Sequence, residues 1–466
     1  NYLLYNKMNF SDLSAKRVHI IGINGIGMSA LAIYLKKNNV DVTGSDITYN
    51  SNTINLEKYE IPVFIGHKVS NIKDRQIIFY SSAIKNNPEI KEAKKNKIPC
   101  FSRSKLLQLI CKDKFTIVVS GSHGKTSTTS ILGYLLVRSG LNPTIISGGV
   151  MQNFGQNIHL TDSNYVVVEA DESDGTVFKL SPKYLLYLNV DREHIDFYKS
   201  YSNLKSKIKK YIKTQSKKEI KIFINNDDDF LSVLKKYAKN IKSFGSDTKA
   251  NYSYKLQKLT NKKSFFDIYK GKKILSKSLS TNLLGEHNVQ NLTAAVSIID
   301  DLGYEIKKSH ILNFKGAKRR MNIIGKIKKT LFIDDYAHHP TEIEKLINVL
   351  LLYKKKHTFL IIEPHRYTRL NDLYGEYLRV LKNINNLIVL KTYEAGENYK
   401  KSMKNSKNLV NDLNVLNKQK TKYIDNYIDL FSLLDQFVSN KKENIIISAG
   451  AGDISNQIRF FYDSRK

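Results

Sequence analysis

Residues 116–127 read Thr-Ile-Val-Val-Ser-Gly-Ser-His-Gly-Lys-Thr-Ser, an apolar run leading straight into a glycine-bounded loop that ends in Lys-Thr. That order predicts a strand entering a phosphate cradle. Glycines let backbone N–H groups approach phosphate oxygens, Lys125 reaches the β- and γ-phosphates, and the Thr126 hydroxyl ligates Mg²⁺ at the start of a helix from Ser127 to Val137. The chain is therefore expected to bind a nucleoside triphosphate through Gly121, Ser122, His123, Gly124, Lys125, Thr126 and Ser127. Val119 stands where a standard P-loop carries its first glycine, which sets this loop apart from those of ordinary GTPases and helicases.

A second tract, Glu169-Ala170-Asp171-Glu172-Ser173-Asp174, ends another apolar strand. Carboxylates crowded at one strand end repel each other unless a cation is shared, so a Mg²⁺ site beside the phosphate loop is expected, with Glu169 as ligand. Asn189-Val-Asp-Arg-Glu-His194 ends the next strand and brings His194 to the same edge as a second metal ligand. Asn288 and Asn291, three apart at a helix start, offer carboxamides that pair with the edge of adenine; capping of that helix by Asn288 is the alternative.

Near the N-terminus, Gly22-Ile-Asn-Gly25-Ile-Gly27 follows an apolar strand, and Asp46 ends the next one. The turn resembles a dinucleotide fingerprint, with Asn24 in place of the middle glycine. Backbone amides there suit the pyrophosphate of a dinucleotide or of a nucleotide sugar, with Asp46 near a ribose. In the last third, Lys318-Arg319-Arg320, Asp334-Asp335-Tyr336-Ala337-His338-His339-Pro340 and Glu363-Pro364-His365-Arg366-Tyr367-Thr368-Arg369 carry the remaining chemistry, the latter two after strands. Arg366 and Arg369 suit a carboxylate, and Arg320 and His338 suit a transferring phosphate.

Elements that position these groups follow from hydrophobic periodicity. Strands are expected at Arg17–Gly22, Asp41–Ser45, Ile77–Tyr80, Tyr165–Glu169, Tyr184–Asn189, Ile220–Asn225, Leu331–Asp334, Thr358–Glu363, Asn386–Leu390 and Asn444–Ser448. Helices are expected at Met28–Asn38, Asn288–Gly303 and Thr341–Lys354. A polar joint at Lys112-Asp113-Lys114 marks one boundary and residue 318 a second, dividing the chain into residues 1–112, 113–318 and 319–466. Strand–helix alternation in all three implies an α/β fold with parallel sheets and ligands at the carboxyl ends of strands.

With 466 residues and 41% hydrophobic content, the chain can bury several cores. Cys100 and Cys111 are the two cysteines and do not form a metal-type pair, which fits a reducing cytoplasm. No apolar run reaches the roughly 18 residues that span a bilayer, so no membrane insertion is expected. The net charge of +32 comes from dispersed lysines rather than a basic stripe, so nucleic acid is not the expected partner.

Taken in order, Gly-Ser-His-Gly-Lys-Thr, Glu-Ala-Asp-Glu-Ser-Asp, Asn-x-x-x-x-His, His287-Asn-x-x-Asn291, Lys-Arg-Arg, Asp-Asp-Tyr-x-His-His-Pro, Pro-His-Arg-Tyr-x-Arg and Ala449-Gly-Ala-Gly-Asp-Ile454 resemble the Mur ligase family from Val18 to Ile454. The resemblance implies a Rossmann-like UDP-sugar domain, a central P-loop-type ATPase domain with a mainly parallel sheet, and a C-terminal Rossmann-like α/β domain. It further implies ATP and Mg²⁺, with UDP-N-acetylmuramate and L-alanine as partners, joined through an acyl phosphate. Murein-tripeptide recycling ligases share the motifs, and an NAD-dependent oxidoreductase would use only the Gly22 turn. By the same resemblance Gly22, Gly25, Gly27, Ser45, Asp46, His67 and Ser81 take the UDP-sugar. Lys125, Arg320, His338 and His365 act in catalysis beside two metals on Thr126, Glu169 and His194. Asn288, Asn291 and Asp335 hold adenine and ribose, and Tyr336, Arg366 and Arg369 the amino acid.

Overall fold

The computed structural model describes residues 8–84, 86–193, 195–353, 357–417, 421–440 and 442–466. The chain parts into two compact units. One is built from residues up to Lys255 with Phe266–Ser280 and Val289–Gly316, the other from Leu256–Phe265, Thr281–Asn288 and the chain from Ala317 on. Each of the three expected domains has its own sheet; the first lies within the first unit, and so does the second except for residues 256–259, 264–265 and 281.

The N-terminal sheet runs Val63–Ile65, Asp41–Asp46, Arg17–Ile21, Ile77–Tyr80, Cys100–Ser102, all parallel. Its order reverses between Arg17–Ile21 and Ile77–Tyr80. The Gly22 turn and Ser81 follow these two strands, so they share the crevice where doubly wound sheets bind ligands. Gly22 is left-handed at φ 77°, and a Cβ there would lie 3.1 Å from Ser81 Cβ. The helix Ile26–Lys37 that follows buries Met28 through Leu35.

In the central sheet the order is Lys273–Thr281, Ser264–Lys270, Tyr252–Leu259, Ile241–Gly245, Lys221–Asn225, Tyr184–Tyr187, Phe115–Ser120, Tyr165–Glu169, Thr144–Met151, Gln156–His159. Phe115–Ser120 is flanked by Tyr184–Tyr187 and Tyr165–Glu169, both parallel to it. The phosphate loop, the acidic tract and the Asn189 tract therefore leave the sheet at one edge. The helix Lys125–Arg138 is buried from Lys125 to Leu136 except at Ser127, so apolar groups on all faces suit a core position rather than an amphipathic one. It begins two residues before the expected Ser127 because Gly124, at φ 81°, turns the chain directly into it. Four strands between Asn225 and Asn288 are not among those expected; Lys273–Thr281, for example, buries only Leu279 and Thr281 and so lacks the pattern of a buried strand.

The C-terminal sheet runs Asn322–Ile327, Thr330–Asp335, Asn444–Gly450, His357–Glu363, Leu387–Leu390, Lys422–Ile424, parallel except for its first pair. Asn444–Gly450 is buried throughout and separates the two strands that lead into the His338 and His365 loops. Burying each of Ile445, Ile446 and Ile447 stabilises this centre by about 1.5–3 kcal/mol relative to exposure. The expected helix from Thr341 is observed as Pro340–Leu350 followed by one 3₁₀ turn, Leu351–Tyr353; Lys354 lies outside the described residues.

Candidate functional site

In the first unit the phosphate loop is a tightly specified cradle. Gly121 sits at φ 136°, and a Cβ on it would meet Asn189 N at 3.0 Å; a Cβ on Gly124 would meet Asn291 Oδ1 at 3.0 Å. Neither position admits a larger residue without displacing backbone or Asn291, the fit expected of a loop whose amides approach phosphate closely. Asn291 thus lies against the loop; in the second unit, Asn288 Nδ2 donates to Leu284 O over 2.8 Å, so its carboxamide ties down its own helix start. Asn189 clamps the loop from the next strand: His123 N donates to Asn189 Oδ1 over 2.7 Å and Asn189 Nδ2 returns to His123 O over 3.0 Å. His123 Nε2 lies 2.9 Å from Asp191 Oδ2.

Lys125 is buried and donates to Gly121 O over 2.6 Å and Ser122 O over 3.0 Å. Its Nζ lies 3.7 Å from Asp171 and 4.0 Å from Glu172. Burial alone would lower its pKa, but Asp171, Glu172, Glu193 and Glu169 outweigh that and raise it, so the side chain is a fixed positive charge. Glu172 is fully buried under the loop and accepts from Ser122 Oγ over 3.1 Å.

Thr126 Oγ1 donates to Glu169 Oε1 over 3.0 Å, and Gly148 N donates to Glu169 Oε2 over 2.6 Å. A hydroxyl and a carboxylate meeting at a helix start form an all-oxygen donor set that suits Mg²⁺. His194 lies outside the described residues.

In the crevice of the first sheet, Asp46 Oδ2 accepts from Asn24 N over 2.9 Å, closing the glycine turn on itself. Gly25 caps the helix Ile26–Lys37, and a Cβ on Gly27 would lie 2.9 Å from Arg103 Nε. Ser45 is fully buried and donates to Glu89 Oε2 over 2.6 Å. Glu89, equally buried, also meets His67 Nδ1 at 3.1 Å and accepts from Asn71 Nδ2 over 2.7 Å. Ser45 therefore acts in this structure through the network that seats His67.

The second unit gathers His338, His365 and the arginines. His365 stacks on Tyr393 with centroids 5.4 Å apart and planes at 14°, and its centroid is 5.9 Å from that of His338. Arg369 Nη1 lies 3.1 Å from His365 Nδ1. Burial first, then His338, Arg369, Arg366 and Arg319, push the His365 pKa down to about 3. Tyr336 forms a platform: Arg319 lies over its ring at 4.7 Å and Arg320 at 5.2 Å. Arg320 Nη1 also reaches Glu342 Oε1 at 3.5 Å, and Arg319 Nη2 donates to Gly450 O over 2.7 Å. Arg366 is exposed, with its backbone N donating to Tyr393 O over 2.8 Å.

Asp335 accepts from Met321 N and Ala337 N, each over 2.7 Å; burial raises its pKa to about 6 against the lowering by Arg320 and those two bonds. Arg319, Met321 and Arg366 hold left-handed φ values of 58°, 46° and 71°. Such strain in non-glycine residues persists where surrounding contacts enforce it, and here it clusters around the histidines.

Sequence reasoning missed Glu172, Asn189, Gly148, Glu89, Glu342 and Tyr393 as individual site residues. The first two lay within tracts already singled out. Gly148 and Glu89 carry no local signal, because their partners are 21 and 44 residues away.

Family models match the chain in three consecutive stretches: the Mur ligase family catalytic domain over residues 17–115, the Mur ligase middle domain over 119–299, and the Mur ligase glutamate ligase domain over 319–452. The UDP-N-acetylmuramate–L-alanine ligase of Pelagibacter ubique is 38% identical over 453 residues, covering 95% of this chain and 97% of that protein. Among solved structures, the UDP-N-acetylmuramate–alanine ligase from Thermotoga maritima superposes with a TM-score of 0.83 at 26% identity, covering 97% of this chain and all of that one. A murein peptide ligase from Psychrobacter arcticus shares the fold, with a TM-score of 0.71 at 19% identity, over 97% of this chain and 98% of its own.

Proposed function

The chain belongs to the Mur ligase family, and on that premise we infer that it joins L-alanine to the lactoyl carboxylate of UDP-N-acetylmuramate at the expense of ATP. The observation that carries the reading is full-length similarity to a ligase of that name together with a built phosphate cradle at Gly121–Thr126. The reaction belongs to peptidoglycan precursor synthesis, hence to cell-wall growth, shape and division, and to the cytoplasm where its nucleotide substrates are found. Among the described residues no helix is long and apolar enough to cross a membrane.

Roles follow from the chemistry of each group. Backbone amides of residues 121–126 cradle the phosphates of ATP, and the fixed charge of Lys125 offsets negative charge on the transferring phosphoryl group, a reaction governed by positioning and electrostatics. Thr126 and Glu169 would hold Mg²⁺, which supplies further charge neutralisation at the phosphates. Gly22, Gly25, Gly27, Asp46, His67 and Ser81 line the sugar-nucleotide crevice, with Ser45 and Glu89 behind them. Asn288, Asn291 and Asp335 take the nucleoside, and Arg320 a phosphate. Tyr336, Arg366 and Arg369 take alanine, beside His338 and His365.

Mixing ATP, Mg²⁺ and UDP-N-acetylmuramate with a panel of amino acids and the murein tripeptide, then identifying products by mass, tests the reading. Alanyl product with ADP and phosphate is expected. Preferential use of the tripeptide would move the chain to the recycling branch, and turnover of nicotinamide without ATP would remove it from the ligases.

A further inference from the structure

His338 and His365 face different kinds of partner through the same ring atom. His365 Nδ1 lies 3.1 Å from Arg369 Nη1, and a guanidinium has only hydrogens to offer, so Nδ1 must accept and the ring proton resides on Nε2. His338 Nδ1 lies 2.9 Å from Tyr336 O, and a carbonyl has only lone pairs, so here Nδ1 must carry the hydrogen and Nε2 is the acceptor of the neutral ring. We propose that these rings are a matched pair of neutral imidazoles with opposite tautomers, His338 offering an Nε2 lone pair to the amine of alanine and His365 an Nε2–H to the developing oxyanion. Arg369 and the Tyr336 carbonyl are the positioning groups that set them. The assignment of roles rests on the function proposed above.

The surroundings differ in the direction this requires. His365 is flanked by positive groups, Arg366 on its own loop, Arg369 in the helix Tyr367–Asp372 that follows and Arg319 from another loop, with His338 edge-on and Tyr393 stacked beneath it. An imidazolium there is disfavoured, so the ring stays a neutral donor. His338 instead has the Glu342 carboxylate 3.4 Å from Nδ1, with Arg320 on the far side of that carboxylate. A carboxylate beside Nδ1–H stabilises the charge that a proton on Nε2 brings. Tyr377 OH donates to His338 O and holds the loop from a neighbouring helix.

In the step itself, the amine lone pair forms the C–N bond to the carbonyl carbon of the acyl phosphate while the C=O π pair moves onto oxygen. One proton passes from nitrogen to His338 Nε2, and His365 Nε2–H donates to the oxyanion. Collapse restores the carbonyl and breaks the C–O bond to phosphate, which leaves with the electron pair; the proton on His338 then passes to solvent.

Nitrogen-15 NMR of the full chain labelled in histidine, without substrates, tests the tautomers; comparison with His338→Gln and His365→Gln assigns the two rings. Expected are a protonated Nδ1 on His338 and a bare Nδ1 with protonated Nε2 on His365 near pH 7.5. The reverse on either ring overturns the pair. Arg369→Met should release His365 into tautomer exchange, and an unchanged His365 spectrum in that variant would overturn the positioning role even if melting fell. His338→Asn keeps an N–H toward Tyr336 O but removes the Nε2 acceptor, so kcat for alanine should fall by about a hundredfold or more with KM for ATP unchanged. His365→Gln should outperform His365→Asn, because its longer amide places an N–H where Nε2 stood; equal activities would overturn the donor role. A chain with both tautomers that makes no alanyl product would instead sink the functional reading and the roles built on it.

Discussion

Thr126 Oγ1 donates to Glu169 Oε1 over 3.0 Å, joining the first turn of the helix Lys125–Arg138 to the end of the strand Tyr165–Glu169. The remaining carboxylate oxygen is engaged by Gly148 N. Glu169→Gln keeps the shape of the side chain and removes its charge. It should raise the Mg²⁺ concentration for half-maximal activity by about tenfold to a hundredfold, as changes to metal-site groups do, with little loss of melting temperature. A Mg²⁺ titration of initial rates shows this, and an unshifted curve would take Glu169 out of the metal site.

Gly148→Ala should damage the same site indirectly. A Cβ there would lie 2.6 Å from Glu169 Oε1, so the carboxylate must swing away from Thr126. Overpacking of this kind costs about 1–3 kcal/mol, and the variant should melt lower and need more Mg²⁺. Wild-type behaviour in both assays would show that the loop around Gly148 yields without moving Glu169.

Lys125→Ala should lower turnover by about a thousandfold, the loss associated with removing a principal charge contact in phosphoryl transfer. Binding of UDP-N-acetylmuramate measured by calorimetry should survive, since the crevice at Gly22 is built from another sheet of the first unit. Turnover above about a tenth of wild type would remove Lys125 from the mechanism.

Glu89→Gln tests the buried network behind His67. Glu89 Oε2 accepts from Ser45 Oγ at 2.6 Å and meets His67 Nδ1 at 3.1 Å, so an amide in its place disturbs His67 directly. Loss of one buried charge-assisted bond costs about 1.5–3 kcal/mol, equivalent to roughly a tenfold or greater rise in KM for the UDP-sugar with KM for ATP unchanged. A parallel rise in both constants would point to general loosening instead.

Acid should destabilise the chain through His19. This ring is fully buried, and burial first, then Arg75 and His67, lower its pKa from 6.5 to about 3. The unfolded chain takes up the proton near pH 6.5 and the folded chain does not. The associated stability is whole above pH 6.5 and is lost progressively as pH falls toward 3. Between pH 7.5 and 5 this one group should remove about 2 kcal/mol. His19→Gln should be less stable at pH 7.5 yet lose less on acidification in denaturant titrations, and an equally steep loss would assign the effect elsewhere.

The sequence alone determined the chemistry available to this chain and the order of its motifs. Phosphate cradle, acidic tract and histidine loops were legible because each is a local event, a strand running into a short loop, whose residue types and spacing are set within about a dozen positions. The inner strands of the N-terminal and C-terminal sheets were legible for the same reason, whereas the edge strands Val63–Ile65, Cys100–Ser102, Asn322–Ile327 and Lys422–Ile424, short or half-exposed, carry no such signal. Tertiary structure decided which tracts meet. Ser122 reaches Glu172 across 50 residues, His123 is clamped by Asn189 across 66, and Glu169 is held by Gly148 across 21. These pairings depend on which parallel strands become neighbours, and hydrophobic periodicity marks a strand without naming its neighbour. The tautomers of His338 and His365 belong to the same class. A histidine in a sequence has two equivalent choices, and only the guanidinium or carbonyl that folding brings to Nδ1 selects between them.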